Sequence, residues 1–290
     1  MKKIKQLGIV LLMLVLVSGC AKEETSTAKM VSDSKRVVST TVAATEIMAK
    51  LNYELVGIPT SDKKLPSRYQ EVTKTGSPMS PDLEIIRSLK PDLVLGTKTL
   101  AGDLSDGFKQ AGVTVDFLDF RTVAAMQAEI KKLGQTLDRE REATALNKTL
   151  TDKTAAVAKA VADKKKPKVL ILMGIPGSYL VATEHSYIGD LVKLAGGENV
   201  IQDQKQEYLA SNTEFLQQSN PDIILRASHG MPKEVIEMFD EEFKTNDIWQ
   251  HFNAVKTKRV YDLDETLFGM TGALNMPEAL DQTVAYLYEK

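Results

Sequence analysis

No glycine or proline interrupts the stretch from Arg139 to about Lys166, and Ala, Lys, Leu, Glu, Asp and Thr dominate it. Asp138 stands where an N-cap would, and Pro167 closes the far end. Apolar residues at 146, 150, 157 and 161 recur at spacings that one face of a helix requires. A helix of about 25 residues is a rod of roughly 35–40 Å. Strand and helix patterns alternate before this rod and again after it. The chain therefore reads as two α/β lobes joined by one rigid helix, with any ligand placed where the lobes face each other.

The amino terminus reads as an address. Lys2, Lys3 and Lys5 precede an apolar run from Leu7 to Val17 that is too short to span a bilayer. Val17-Ser18-Gly19-Cys20 follows and looks like the bacterial lipobox. That likeness implies cleavage before Cys20 and a diacylglyceryl thioether on its sulfur; an ordinary secretory signal is the plainer alternative. Cys20 is the chain's single cysteine, so a disulfide is excluded. Residues 20–35 are polar and poor in aromatics, as a flexible tether would be. The expected division is 1–19 signal peptide, 20–35 tether, 36–137 first lobe, 138–167 connecting helix and 168–290 second lobe.

A hydrophobic content of 43% in 290 residues is ample for packed cores. A formal net charge of −2 speaks against a nucleic-acid partner. In the first lobe, strands are expected at Val37–Ser39, Leu55–Ile58, Asp92–Gly96 and Val113–Leu118. Helices are expected at Ala43–Leu51, Leu83–Leu89 and Leu104–Ala111, the first capped by Thr40-Thr41. In the second lobe, strands are expected at Lys168–Met173, Ser178–Ala182, Asp222–Leu225 and Val260–Asp262, with helices at Ile188–Ala195, after Pro232 and at Pro277–Tyr288. The lobes echo each other: Glu84 stands seven residues before Pro91-Asp92, and Glu214 seven before Pro221-Asp222. Each Glu opens a short helix, where a carboxylate serves either the helix dipole or a basic docking partner.

Two segments stand apart. Gly76-Ser77-Pro78-Met79-Ser80-Pro81 is a stiff hexapeptide in which two prolines bracket a methionine. Core packing is the first reading of Met79. His229, in Ala227-Ser228-His229-Gly230-Met231-Pro232, follows the carboxyl end of a strand, where α/β lobes present functional side chains. A structural role for this imidazole is weighed equally with a ligand role. His185 reads as exposed and His251 as partly buried. Three histidines spread along the chain fit a zinc carrier poorly. Gly177-Ser178 lacks a nucleophile elbow, and no acid/base dyad stands out, so an enzyme is not expected.

Together the lipobox, the paired lobes, the connecting helix and the repeated Glu…Pro-Asp pattern resemble the substrate-binding lipoproteins of iron-siderophore, cobalamin and haem ABC importers. The resemblance covers essentially the whole chain. It implies two Rossmann-like lobes joined by a single long helix, like a class III periplasmic binding protein. The segments around Met79 and His229 resemble the haem-receptor branch, in which such a Met and His ligate iron from opposite faces. This resemblance implies one non-covalent haem b per chain, axially held by Met79 and His229. No Cys-x-x-Cys-His is present for covalent attachment. Thr40, Thr41 and Val42 would receive propionates at a helix start, and Met231, Phe268 and Met270 would either wall the cleft or serve as ordinary core. Glu84 and Glu214 would dock on an ABC permease served by its ATPase. Upstream cell-wall proteins would donate haem to a monomer anchored through Cys20 on the extracellular face of the cell membrane. A siderophore or cobalamin cargo is the alternative; it would want cationic groups, for which Arg121 and Arg226 are the main candidates.

Overall fold

The computed structural model describes residues 34–289 apart from 203, 212–215, 217 and 218. The signal segment, Cys20, most of the tether and Glu214 lie outside the described residues. Lys35–Lys290 forms one compact unit. Its elements run β1 (Val37–Ser39), α1 (Val42–Lys50), β2 (Gly57–Ile58), β3 (Thr73–Lys74), β4 (Gly76–Ser77), β5 (Ser80–Pro81), α2 (Leu83–Ser88), β6 (Leu93–Thr97), α3 (Ala101–Gln110), β7 (Val115–Leu118), α4 (Val123–Thr136) and α5 (Glu140–Val161). The chain continues through β8 (Lys168–Ile175), β9 (Ser178–Ala182), α6 (Tyr187–Leu194), β10 (Glu198–Asn199), β11 (Tyr208–Ala210), β12 (Ile223–Ser228), α7 (Pro232–Thr245), α8 (Asn253–Lys256), β13 (Val260–Asp262) and α9 (Met276–Tyr288).

Two sheets carry the lobes. The first has order β3-β2-β1-β6-β7 with every pair parallel. The second has order β11-β9-β8-β12-β13, with β10 also paired to β8. Its β8, β10, β12 and β13 are parallel, while β9 and β11 form an antiparallel margin. Both sheets are doubly wound, so each has a switch point beside its central strand, between β1 and β6 and between β8 and β12. Successive side chains along a strand point to opposite faces. Val37 accordingly joins the central core and Val38 a separate outer one; Val169 and Ile171 face the central core, and Leu170 and Leu172 the outer one.

The repeated Pro-Asp is a clamp at the start of a strand. Asp92 accepts from the Arg36 N–H at 2.7 Å and returns its own N–H to the Arg36 carbonyl at 2.8 Å. Asp222 does the same with Lys168, at 2.9 and 2.8 Å. Lys90 and Asn220, just ahead of each proline, both have positive φ. The echo in the sequence is thus one local device used twice to pin β6 to β1 and β12 to β8.

The connecting helix differs from the expectation at both ends. Asp138 takes φ +54 rather than a capping conformation, and Arg139 holds the N-cap position without a side-chain cap bond. The helix ends at Val161, so α5 has 22 residues and spans roughly 33 Å. The expectation also passed over α4, which folds back against α5 as a helical hairpin. Gly134 makes that approach possible, because a Cβ there would lie 2.5 Å from the Ala143 Cβ. Ala143, Leu150, Val157 and Val161 are buried along α5, and Leu146 packs beside them. One continuous core joins this face to Val37 and Leu95 of the first sheet and to Val169 and Ile171 of the second.

Leu150→Ala should therefore weaken the junction of both lobes and cost about 2–5 kcal/mol. Ala156→Ser, on the exposed face of the same helix, should stay within about 0.5 kcal/mol. Urea unfolding of the two variants measures the difference.

Candidate functional site

Met79 sits at the tip of a hairpin built to hold it. β4 and β5 pair antiparallel, Gly76 opposite Pro81 and Ser77 opposite Ser80, with Pro78-Met79 as the turn. Gly76 has φ +90, and a Cβ there would stand 2.7 Å from the Ser80 carbonyl oxygen. Pro78 and Pro81 fix their own φ angles. The Ser80 N–H donates to the Ser77 hydroxyl at 3.1 Å. Both feet are tied down: Thr60 N–H donates to the Gly76 carbonyl and Asp82 N–H to the Thr75 carbonyl, each at 2.8 Å. The hairpin continues from the carboxyl end of β3. It leaves Met79 70% exposed, so the core reading of this residue does not hold. Leaving such a side chain in water forgoes roughly 1.5–3 kcal/mol of burial.

His229 leaves the carboxyl end of β12, the buried strand at the second switch point. Its backbone N–H donates to the Gly174 carbonyl at 2.9 Å, extending the β8–β12 ladder by one step. The side chain is exposed. Gly230 follows at φ +73 and Met231 at φ +47, two consecutive left-handed residues before Pro232 opens α7. A bulky non-glycine residue there is uncommon. The Gly230 N–H donates to Glu265 Oε1 at 2.9 Å, which holds the turn. Met231 is 55% exposed; among the described residues it and Met79 are the exposed large hydrophobic side chains. Both belong to loops at the carboxyl ends of parallel strands, as a ligand site on this topology requires.

The remaining candidates fall into place unevenly. Thr40 and Thr41 are buried at the first switch point. The Thr40 hydroxyl donates to the Leu95 carbonyl at 3.0 Å, and the Thr41 hydroxyl accepts from Ala44 N–H at 3.3 Å. What this segment offers a ligand is the first backbone N–H groups of α1, starting at half-buried Val42. Met270 is half-buried against the central core. Phe268 is fully buried, 6.3 Å from the Tyr286 ring centroid, and is a core residue rather than a cleft wall. Glu84 is exposed in the first turn of α2. The cap of that helix is Asp82, which accepts from the N–H groups of Glu84 and Ile85. The carboxylate of Glu84 is therefore not needed as the cap. His185 is exposed as expected, whereas His251 is exposed rather than partly buried. Among the described residues no group of three or more His, Cys, Asp or Glu is arranged to hold a metal ion.

Neither cationic candidate is free. Arg226 is 8% exposed; it bonds Asp262 at 2.7 Å and Asp240 at 2.9 Å and lies over the rings of Phe239 and Phe243. Arg121 grips Asp119 through two nitrogens, at 2.9 and 2.6 Å, and reaches Glu207 of the second lobe at 3.8 Å. Lys98 joins Asp119 from the first lobe at 3.2 Å. The Arg121 hydrogen bonds hold the Asp119 carboxyl well below the usual range. Burial pushes Glu207 upward although Arg121 pulls the other way. Two backbone N–H donors also bridge the lobes beside this network: Gly272 N–H to the Phe120 carbonyl at 2.7 Å, and Val123 N–H to Asp190 Oδ2 at 2.8 Å. The Asp190 carboxylate thus meets the start of α4 from the opposite lobe, where the helix dipole favours it. Sequence reading passed over Asp119, Glu207 and Asp190 because their partners are remote in the chain and carry no motif.

A family model described as periplasmic binding protein matches residues 37–267. The high-affinity heme uptake system protein IsdE of Staphylococcus aureus is 47% identical over 290 residues, covering 100% of this chain and 99% of the relative. A solved ABC transporter substrate-binding protein from Listeria monocytogenes is 68% identical with a TM-score of 0.85, covering 89% of this chain and 100% of that one. The solved structure of S. aureus IsdE complexed with heme is 48% identical with a TM-score of 0.85, covering 88% of this chain and 99% of that one.

Glu207 gives a pH signature. Its folded pKa is raised, so its stabilising contribution is present below the unfolded carboxylate pKa and is lost as pH rises through the folded value. Glu207→Gln, which cannot ionise, should raise Tm near neutral pH and lose that advantage below about pH 4. Thermal unfolding across pH checks both limbs.

Proposed function

The chain belongs to the periplasmic binding protein family, and from that premise we propose that it is the haem-binding component of an ABC importer, holding haem between Met79 and His229 and delivering it to a membrane permease for iron acquisition. The observation that carries the reading is the exposed thioether of Met79 on a braced hairpin, in a chain 47% identical from end to end to a haem uptake protein. A side chain that gives up its burial on a rigid mount is placed to meet something other than core.

The donor chemistry agrees. Thioether sulfur and imidazole nitrogen are both neutral, and together they make a low-spin, six-coordinate iron site that favours the ferrous state more than two imidazoles would. A carrier of bare ferric iron would want carboxylates or phenolates instead. The first N–H groups of α1 suit propionate oxygens, and Met231 and Met270 suit the apolar macrocycle. The protein's work is to hold, orient and release its cargo rather than to catalyse. A siderophore cargo is less well served, because Arg226 is buried in its own ion pairs and Arg121 is matched to Asp119. No helix among the described residues is long and apolar enough to cross a membrane. Anchoring through a lipid on Cys20, on the extracellular face, completes the reading. Glu84 and Glu214 supply one acidic contact per lobe for the permease and its ATPase, and cell-wall proteins supply the haem to a monomeric carrier.

Titration of the purified chain with haemin should give one equivalent with a low-spin spectrum. His229→Ala and Met79→Ala should each weaken binding by at least about tenfold, the histidine variant more. A spectrum matching free haemin would overturn the assignment, and a parallel ferric-siderophore titration separates the cargoes. Glu84→Ala combined with Glu214→Ala should cut uptake in cells and leave haemin affinity intact; normal import by the double variant would overturn the docking role.

A further inference from the structure

The methionines among the described residues divide sharply by exposure. Met48, Met126, Met173 and Met276 are fully buried, and Met238 and Met270 are half-buried. Met79 and Met231 stand 70% and 55% exposed, each on a braced loop. Thioether oxidation follows access, and it turns a flexible apolar side chain into a polar one. We propose that, among the described residues, Met79 and Met231 are the peroxide-oxidation sites, and that conversion of Met79 to its sulfoxide releases the grip on haem until the sulfoxide is reduced; the second half rests on the proposed function.

The step balances with hydrogen peroxide as the oxidant. A sulfur lone pair attacks one peroxide oxygen, the S–O bond forms as the O–O bond breaks, sulfur loses two electrons, and peroxide leaves as water after proton transfer. The lone pair consumed is one that an axial thioether would give to iron. Bound haem should therefore shield Met79. Met231, set against the macrocycle in the proposed function, would be covered by contact, but its lone pair would not be given to iron. Neither loop needs to unfold for peroxide to reach its sulfur, whereas the four buried methionines need local opening first.

The test treats the haem-free full chain with graded hydrogen peroxide and follows each methionine-containing peptide by mass spectrometry. Met79 and Met231 should gain oxygen at least about tenfold faster than Met48, Met126, Met173 and Met276. Preloading with haemin should slow both, Met79 at least about fivefold and by more than Met231. Haemin affinity of the oxidised protein should fall toward that of Met79→Ala and recover after treatment with both epimer-specific methionine sulfoxide reductases. Peroxide should lower the affinity of Met79→Ala itself far less. Uniform oxidation of exposed and buried methionines would overturn the site assignment, and unchanged affinity with Met79 fully oxidised would overturn the release. If untreated protein fails to bind haemin at all, the proposed function falls, while the order of oxidation is still read in the absence of haem.

Discussion

Burial of one apolar face of α5 is the interaction on which the rest of the molecule depends. Leu150 and Val157 are withdrawn from water only because α4 folds back on α5 and because both sheets supply side chains to the same core. Each such residue contributes roughly 1.5–3 kcal/mol when fully buried. Close packing of this kind resists deformation. With Gly272 bonded to Phe120 and Asp190 bonded to Val123 across the junction, the lobes share one packed floor.

Against that floor the two proposed ligands are mounted differently, though to the same end. Met79 rides on a hairpin whose stiffness is local, from two prolines, one glycine and the bonds at its feet. His229 and Met231 ride on a tightly wound turn between a buried strand and a 14-residue helix. Both mounts hold back backbone freedom that would otherwise have to be lost on binding. The unburied sulfurs are the energetic sacrifice, and they lie where the strands of each sheet end.

Ion pairing within each lobe also explains why the two candidate arginines offer little to an anionic cargo. Arg121 is matched to Asp119 and Arg226 to Asp262 and Asp240. Such pairs stabilise only while both members stay together, since an unpaired buried charge is costly. Arg226, which in sequence stands three residues before the proposed histidine ligand, is bound to Asp262 and Asp240 and lies over Phe239 and Phe243.

Much of the architecture was legible from local signals. Helix periodicity, Thr41 ahead of α1, and the short apolar strands located most elements within a few residues, because each reports on its own neighbourhood. The sequence likewise determined the lobe–helix–lobe plan and singled out Met79 and His229, through their proline and glycine settings. Tertiary structure decided the rest. It made Met79 an exposed tip rather than core, placed Phe268 inside and His251 outside, moved the end of α5 to Val161, added α4, and paired Asp119, Glu207 and Asp190 with partners far away in the chain. Burial and ion pairing depend on what the distant parts of a chain bring to a given point, and that is information no local pattern carries.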